Sequence, residues 1–316
     1  MIKRKKILLT AVAIVCALAV GVGTFLGVTL YKENQVSFTV SDTLEDGQGK
    51  KATVILLGGQ SNASGCSRDE YLQKHVSAEQ YDEYQNGYDN VYINYFATGT
   101  NESKAFIPCG AKQGEAGGFF GPELGIAETL HQERPEQLFF LIKYAWGGSS
   151  LCGNWLSPSS FGKTGNLYKA FVKYVQTSME YLISKGYDVA IEGMCWMQGE
   201  SDSITKPVAN AYEKSLERLV KDLRKKFSRY AADDGIAFID AYIADLPAYW
   251  KHYDIINAAK QAVADSSPMN VVIDTITAGL TTQNEPEGAP DLAHYDALSE
   301  RKLGHLFANS LLPFLE

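Results

Sequence analysis

Short apolar runs alternating with amphipathic stretches constrain this chain more than any other feature. Residues 53–57, 138–144, 189–196, 236–239 and 271–273 are brief and almost wholly apolar, as strands buried on both faces are. Between and after them, residues 122–132, 167–184, 209–227, 254–264 and 297–312 repeat apolar side chains at three- and four-residue spacing, which gives a helix one covered face. Strands that alternate with helices form a parallel sheet with helices on both sides. No internal repeat, low-complexity tract or second linker interrupts the pattern, so residues 52–316 read as one α/β domain.

Residues 1–30 stand outside that pattern. Lys3, Arg4, Lys5 and Lys6 precede an apolar run of 24 residues, 7–30, and about 20 helical residues cross a bilayer. The basic flank predicts a cytoplasmic N-terminus and an extracytoplasmic body. The expectation is a single-pass signal-anchor, with the lipid bilayer as its partner. Cleavage after Ala19, at Ala17-Leu18-Ala19, is the competing reading and would secrete the body. Residues 31–51 are polar and read as a linker. From residue 31 onward, 25 Lys and Arg face 37 Asp and Glu, a formal −12, which argues against nucleic-acid binding. Cys66, Cys109, Cys152 and Cys195 permit three pairings, and free buried thiols fit equally well. No Cys/His cluster suggests a metal, and no cofactor is expected.

In a parallel sheet the chemistry lies beyond the carboxyl ends of the strands. Four loops there carry reactive groups. Gly58-Gly59-Gln60-Ser61-Asn62-Ala63 follows the first strand, and Ala145-Trp146-Gly147-Gly148-Ser149-Ser150 follows residues 138–144. Trp196-Met197-Gln198-Gly199-Glu200-Ser201-Asp202 ends residues 189–196, and Asp291-Leu292-Ala293-His294 precedes the last helix. Serine, histidine, carboxylates, an amide and glycine N–H groups are the parts acyl transfer needs. Taken singly, each is more often a turn, a cap or a surface residue; the shared sheet edge gives the chemical reading its weight. Phe161-Gly162-Lys163-Thr164 imitates the end of a phosphate-binding loop, but Ser157 replaces the required glycine. The sequence has no His-Glu-x-x-His. Gly59-x-Ser61-x-Ala63 follows the first strand, unlike the mid-sheet nucleophile elbow of α/β-hydrolases.

Those segments, with Gly121-Pro122-Glu123-Leu124 and Lys143-Tyr144 before Ala145, resemble the SGNH-hydrolase superfamily over residues 53–308. Within it they resemble the sialate O-acetylesterase branch, which includes the acetylxylan esterases of carbohydrate esterase family six. The resemblance implies a three-layer α/β/α, flavodoxin-like fold and a cofactor-free serine esterase acting on acetylated carbohydrate. By position, Ser61 is the nucleophile and His294 the base. Asp291 is the first choice to orient the histidine and Glu200 the second. Ser61 N–H, Gly148 N–H (or Gly147 N–H) and the Gln198 side chain would form the oxyanion hole. Gln60, Asn62, Glu123, Trp146 and Trp155 are expected to meet substrate; Trp146, Trp155 and Tyr295 could stack on a sugar ring or simply pack. A non-catalytic carbohydrate-binding relative and a lipase-like SGNH esterase are the alternatives.

Overall fold

The computed structural model describes residues 37–99 and 101–315. Six parallel strands form the sheet: β1 (Lys51–Gly59), β2 (Tyr88–Ala97), β3 (Phe139–Ala145), β4 (Asp188–Met197), β5 (Ala237–Ala241) and β6 (Asn270–Ile273). Their order is β6-β5-β4-β1-β3-β2, and two short antiparallel strands, Asn101–Glu102 and Ile107–Cys109, continue it beyond β2. Without β2 the order is that of flavodoxin. The expected three-layer fold is therefore present, with one strand added at the edge.

That strand was not expected, because polar residues break its pattern. Asn94 lies wholly buried in β2. Its amide donates to Ser178 Oγ at 2.9 Å, while its carbonyl accepts from Ser103 and Tyr174. A buried polar group is tolerated when its hydrogen bonds are made, so an asparagine that looks like a turn residue in sequence occupies a sheet interior.

Eight helices complete the described body: α1 (Ser61–Ser64), α2 (Asp69–His75), α3 (Ala78–Asn86), α4 (Glu123–Glu133), α5 (Asn166–Ser184), α6 (Lys206–Phe227), α7 (Tyr253–Asp265) and α8 (Ala297–Leu311). Right-handed crossovers put α4 and α8 on one face and α5, α6 and α7 on the other. On the α8 face Gly193 of β4 leaves room for Leu311: a Cβ there would stand 2.3 Å from its Cδ2. Opposite, Val220, Leu223 and Phe227 of α6 cover Leu56, Met194 and Phe238. Gly125 and Gly304 let α4 and α8 approach so closely that a Cβ on Gly125 would meet Arg301 O at 2.0 Å.

The linker expectation changes. Residues 37–50 lie along the domain instead of spanning away from it. The Phe38 ring packs edge-on to Phe96 and Tyr174 at 5.7 and 4.9 Å, Leu44 is buried, and Gly47 N–H donates to Lys185 O at 2.7 Å. Two apolar residues anchor this polar stretch, and Thr43 Oγ1 donating to Phe106 O and the Asp42–Lys185 pair fasten it further. Cys66, Cys109, Cys152 and Cys195 are free thiols. The anticipated membrane helix lies outside the described residues; among those described, no helix is long and apolar enough to cross a membrane.

One buried ion pair props up the loops at the sheet edge. Lys143 of β3 and Glu123 of α4 are both fully buried and meet at 2.7 Å. Lys143 Nζ also donates to Gln113 O, and Glu123 Oε1 accepts Gly121 N–H. Removing one partner leaves a buried charge alone, which costs about 3–5 kcal/mol. Lys143→Met is expected to lower unfolding free energy by about that amount in urea titration. A loss below about 1 kcal/mol would show the pair to be incidental.

Candidate active site

The crevice sits where the chain reverses its direction across the sheet, between the ends of β1 and β4. Gly59 makes the turn into α1: its φ is +142°, and a Cβ would lie 1.9 Å from Met197 O. Ser61 therefore opens α1 at the sheet edge with only 8% of its surface exposed. Its N–H lies in the first turn, where no helical acceptor exists.

His294 and Asp291 come from the loop before α8. His294 Nδ1 and Asp291 Oδ2 are 2.7 Å apart. Asn62 joins this loop to the nucleophile turn and to β4. Its Oδ1 accepts Tyr295 N–H at 3.1 Å and its Nδ2 donates to Glu200 Oε1 at 2.8 Å. The neighbours of Ser61 and His294 thus touch, which brings the nucleophile turn and the histidine loop to the same sheet edge.

The two carboxylates are shifted in opposite directions. Burial alone would raise the Asp291 pKa, but the hydrogen bond and charge of His294 reverse this and hold it below its ordinary value. Burial lowers His294, yet the Asp291 bond and charge, with Glu115 and Glu200, lift it above the ordinary 6.5. Glu200 is different. Burial dominates and raises its pKa despite the Asn62 bond, and its Oε2 has no hydrogen-bond partner. Asp291 is the anion in contact with the imidazole.

The two glycines of the loop after β3 differ: Gly147 N–H donates to Thr98 Oγ1 at 3.1 Å, while Gly148 is exposed with a φ of +64° that suits glycine. Thr98 Oγ1 also bonds Ser64 Oγ at 2.8 Å, linking this loop to α1. Asp202, wholly buried, holds the same loop from below. Its oxygens accept Ser150 Oγ and the N–H groups of Leu151 and Cys152.

Several expected roles change. The Gln198 side chain is fully buried, and its amide hydrogens face Gln60 Oε1, Ser149 O and Asp202 Oδ2 at 2.7–3.1 Å. It has no hydrogen left for an oxyanion. Gln60 is 2% exposed, and its Oε1 receives that amide. Asn62 is 4% exposed and held by its two bonds, and Glu123 is fully buried against Lys143. Trp155 is wholly buried, edge-on to Trp196 at 5.1 Å, and donates to Ser149 Oγ. Trp146 packs against Phe96 and Gly99, and Tyr295 is buried with its hydroxyl on Thr275. These five expected substrate contacts are buried beneath the site and support its loops, while Tyr295, although buried, lines the cavity beside His294.

A cavity of about 230 Å³ opens beside the histidine. Asp291, His294 and Tyr295 line one side; Arg68, Glu115, Phe119 and Glu285 line the other. No sequence motif pointed to these four. The run Gly110-Ala111-Lys112-Gln113-Gly114-Glu115-Ala116-Gly117-Gly118 was the available signal, a glycine-rich loop with one acid. Burial pushes Glu285 up to about 7, against the N–H groups of Arg68 and Ala297 that its carboxylate accepts. Among the described residues no His, Cys, Asp and Glu group could hold a metal ion.

Fold and crevice define an SGNH-type hydrolase. The particular family follows from the sequence of the whole body: residues 51–313 match the carbohydrate esterase, sialic acid-specific acetylesterase family, and the chain belongs to it. Its class of activity is carbohydrate O-acetyl ester hydrolysis. Among solved structures, a protein from Arabidopsis thaliana is 19% identical with TM-score 0.60, covering 83% of this chain and 99% of its own. NanS is 16% identical with TM-score 0.60, covering 86% and 99%. A carbohydrate acetylesterase from Xanthomonas citri is 17% identical with TM-score 0.55, covering 81% of this chain and 54% of its own. These likenesses concern the fold. No curated protein sequence matches the chain.

Neutral His294 is the form that accepts a proton, so activity should rise with pH through a pKa above the ordinary 6.5. Asp291→Asn should lower kcat by about 10⁴ and move the acid limb to lower pH, because the charge that raises His294 is gone. Glu200→Gln keeps an oxygen for Asn62 and should cost far less. Measuring kcat against pH for both variants on one acetyl ester checks this; a collapse only in Glu200→Gln would reverse the two roles.

Proposed function

We propose that this chain is an extracytoplasmic serine esterase that removes O-acetyl groups from carbohydrates of the acetylxylan or sialate type through an acetyl-serine intermediate. The observation that carries the reading is the 2.7 Å Asp291–His294 bond, in the loop that Asn62 fastens beside Ser61. His294 Nε2 takes the Ser61 proton as Oγ attacks the acetyl carbonyl. Ser61 N–H and Gly148 N–H meet the developing oxyanion, each worth about 3–4 kcal/mol. The imidazolium, held by Asp291, returns the proton to the sugar oxygen as the C–O bond breaks. Water then repeats the sequence on the acetyl-serine and releases acetate.

Ser61→Ala removes one oxygen from a nearly buried position and should leave the fold intact while abolishing turnover. The wild-type protein should be labelled by a fluorophosphonate and should deacetylate acetylated xylan or O-acetylated sialic acid; Ser61→Ala should do neither. A wild type that binds acetylated glycan without reacting would be a binding protein instead, and hydrolysis confined to long-chain esters would make it lipase-like.

The extracytoplasmic location rests on Lys3–Lys6 and the apolar run 7–30. In intact cells, external protease should degrade the α/β domain and spare an epitope placed at residue 1. Full protection of the domain would place it in the cytoplasm.

A further inference from the structure

We propose that Glu115 is the residue that selects the sugar: its carboxylate accepts a hydroxyl of the carbohydrate next to the acetylated oxygen. The inference rests on the esterase reading above and adds the side chain that recognises the leaving group.

Position comes first. Glu115 lies between the oxyanion loop and the histidine. Its oxygens stand 3.2 and 3.4 Å from where a Gly147 Cβ would be, its Oε2 accepts Cys66 Sγ–H at 3.2 Å, and its charge helps raise His294. Cys66 Sγ in turn reaches Ser61 O. Glu115 also lines the 230 Å³ cavity with His294, Arg68 and Phe119. Acetyl is too small to need that space, and the leaving oxygen must depart toward the imidazole that protonates it. The ring carbons and hydroxyls attached to that oxygen therefore fall on the cavity side.

Charge then decides what Glu115 can touch. A carboxylate pointed at the oxyanion would repel the charge that the transition state develops. Toward a sugar hydroxyl, the same carboxylate is a strong acceptor. The expected sugar-facing residues, Gln60, Asn62, Glu123, Trp146 and Trp155, are buried, and Glu115 occupies the cavity wall in their stead.

The loop is built rigid, as recognition requires. Glu115 N–H donates to Gly65 O at 2.8 Å and Gly114 N–H to Phe119 O at 2.8 Å. Asn101 Nδ2 donates to Gly114 O at 2.9 Å and buried Lys143 to Gln113 O at 3.0 Å. The ion pair beneath the sheet edge thus fixes the carboxylate that faces the cavity.

The test compares kcat and KM of wild type, Glu115→Gln and Glu115→Asp on 4-nitrophenyl acetate and on the better wild-type substrate of acetylated xylan and O-acetylated sialic acid. A lost charged hydrogen bond to the leaving group should lower kcat/KM for the glycosyl acetate about 10- to 100-fold more than for the aryl acetate. The change should appear chiefly in KM, with Asp recovering part of it. Equal losses on both esters would make Glu115 part of the acyl-transfer apparatus and overturn the proposal, as would no loss on either. If Glu115→Gln fails to fold, the same selectivity ratio is read from Glu115→Asp. A wild type that cleaves 4-nitrophenyl acetate and neither glycan would instead overturn the carbohydrate reading on which this inference rests.

Discussion

The buried amide of Gln198 is the joint on which the site depends. At the reversal of strand order, the β1 and β4 ends carry turns with incompatible hydrogen-bonding needs, and Gln198 meets both. Through Gln60 it holds the nucleophile turn; through Asp202 and Ser149 O it holds the oxyanion loop. Tyr212 of α6 donates to its carbonyl and closes the network. Every member is satisfied, which is the condition under which a buried polar cluster specifies one geometry instead of weakening the core. The Ser61 and Gly148 N–H groups that the proposed mechanism offers to an oxyanion are thereby fixed before substrate arrives, so little of the barrier would go to reorganising them.

Much of the fold was legible because burial on both faces writes itself as continuous apolar sequence. The runs at residues 53–57 and 189–196 became β1 and β4 with boundaries shifted by a few residues. β2 was not legible, since Asn94 is buried by satisfying its amide, not by being apolar. Residues 37–50 read as a linker for the opposite reason: a polar stretch docks with only Phe38 and Leu44 as apolar anchors, and hydrogen bonds such as Thr43 Oγ1 to Phe106 O hold the rest.

At the site, sequence identified which loops matter better than what each residue does there. Strand-end motifs collect polar residues for two purposes, meeting substrate and holding loops, and composition does not separate them. Gln60, Asn62, Gln198 and Asp202 proved to hold loops, which only the direction of each side chain reveals. Asp291 and His294 were easier, because three residues of spacing within one turn confine both to one neighbourhood. Glu115 carried no motif, and only the folded glycine-rich loop brings it to the cavity.

The proposed mechanism asks a site rich in acids to stabilise an oxyanion, and the placement of those acids around His294 makes the two compatible. Burial raises the Glu200 pKa above its ordinary value, and the residue adds structure through its bond with Asn62. Asp291 keeps its charge because His294 is in contact, and that charge is used when the imidazole becomes cationic. Glu115 stands in the cavity wall with its charge toward the leaving group. The three carboxylates near this histidine thus have different tasks: Glu200 is held in the interior by Asn62, Asp291 is paired with the imidazole, and Glu115, which also accepts the Cys66 thiol, lines the cavity where the sugar is proposed to lie.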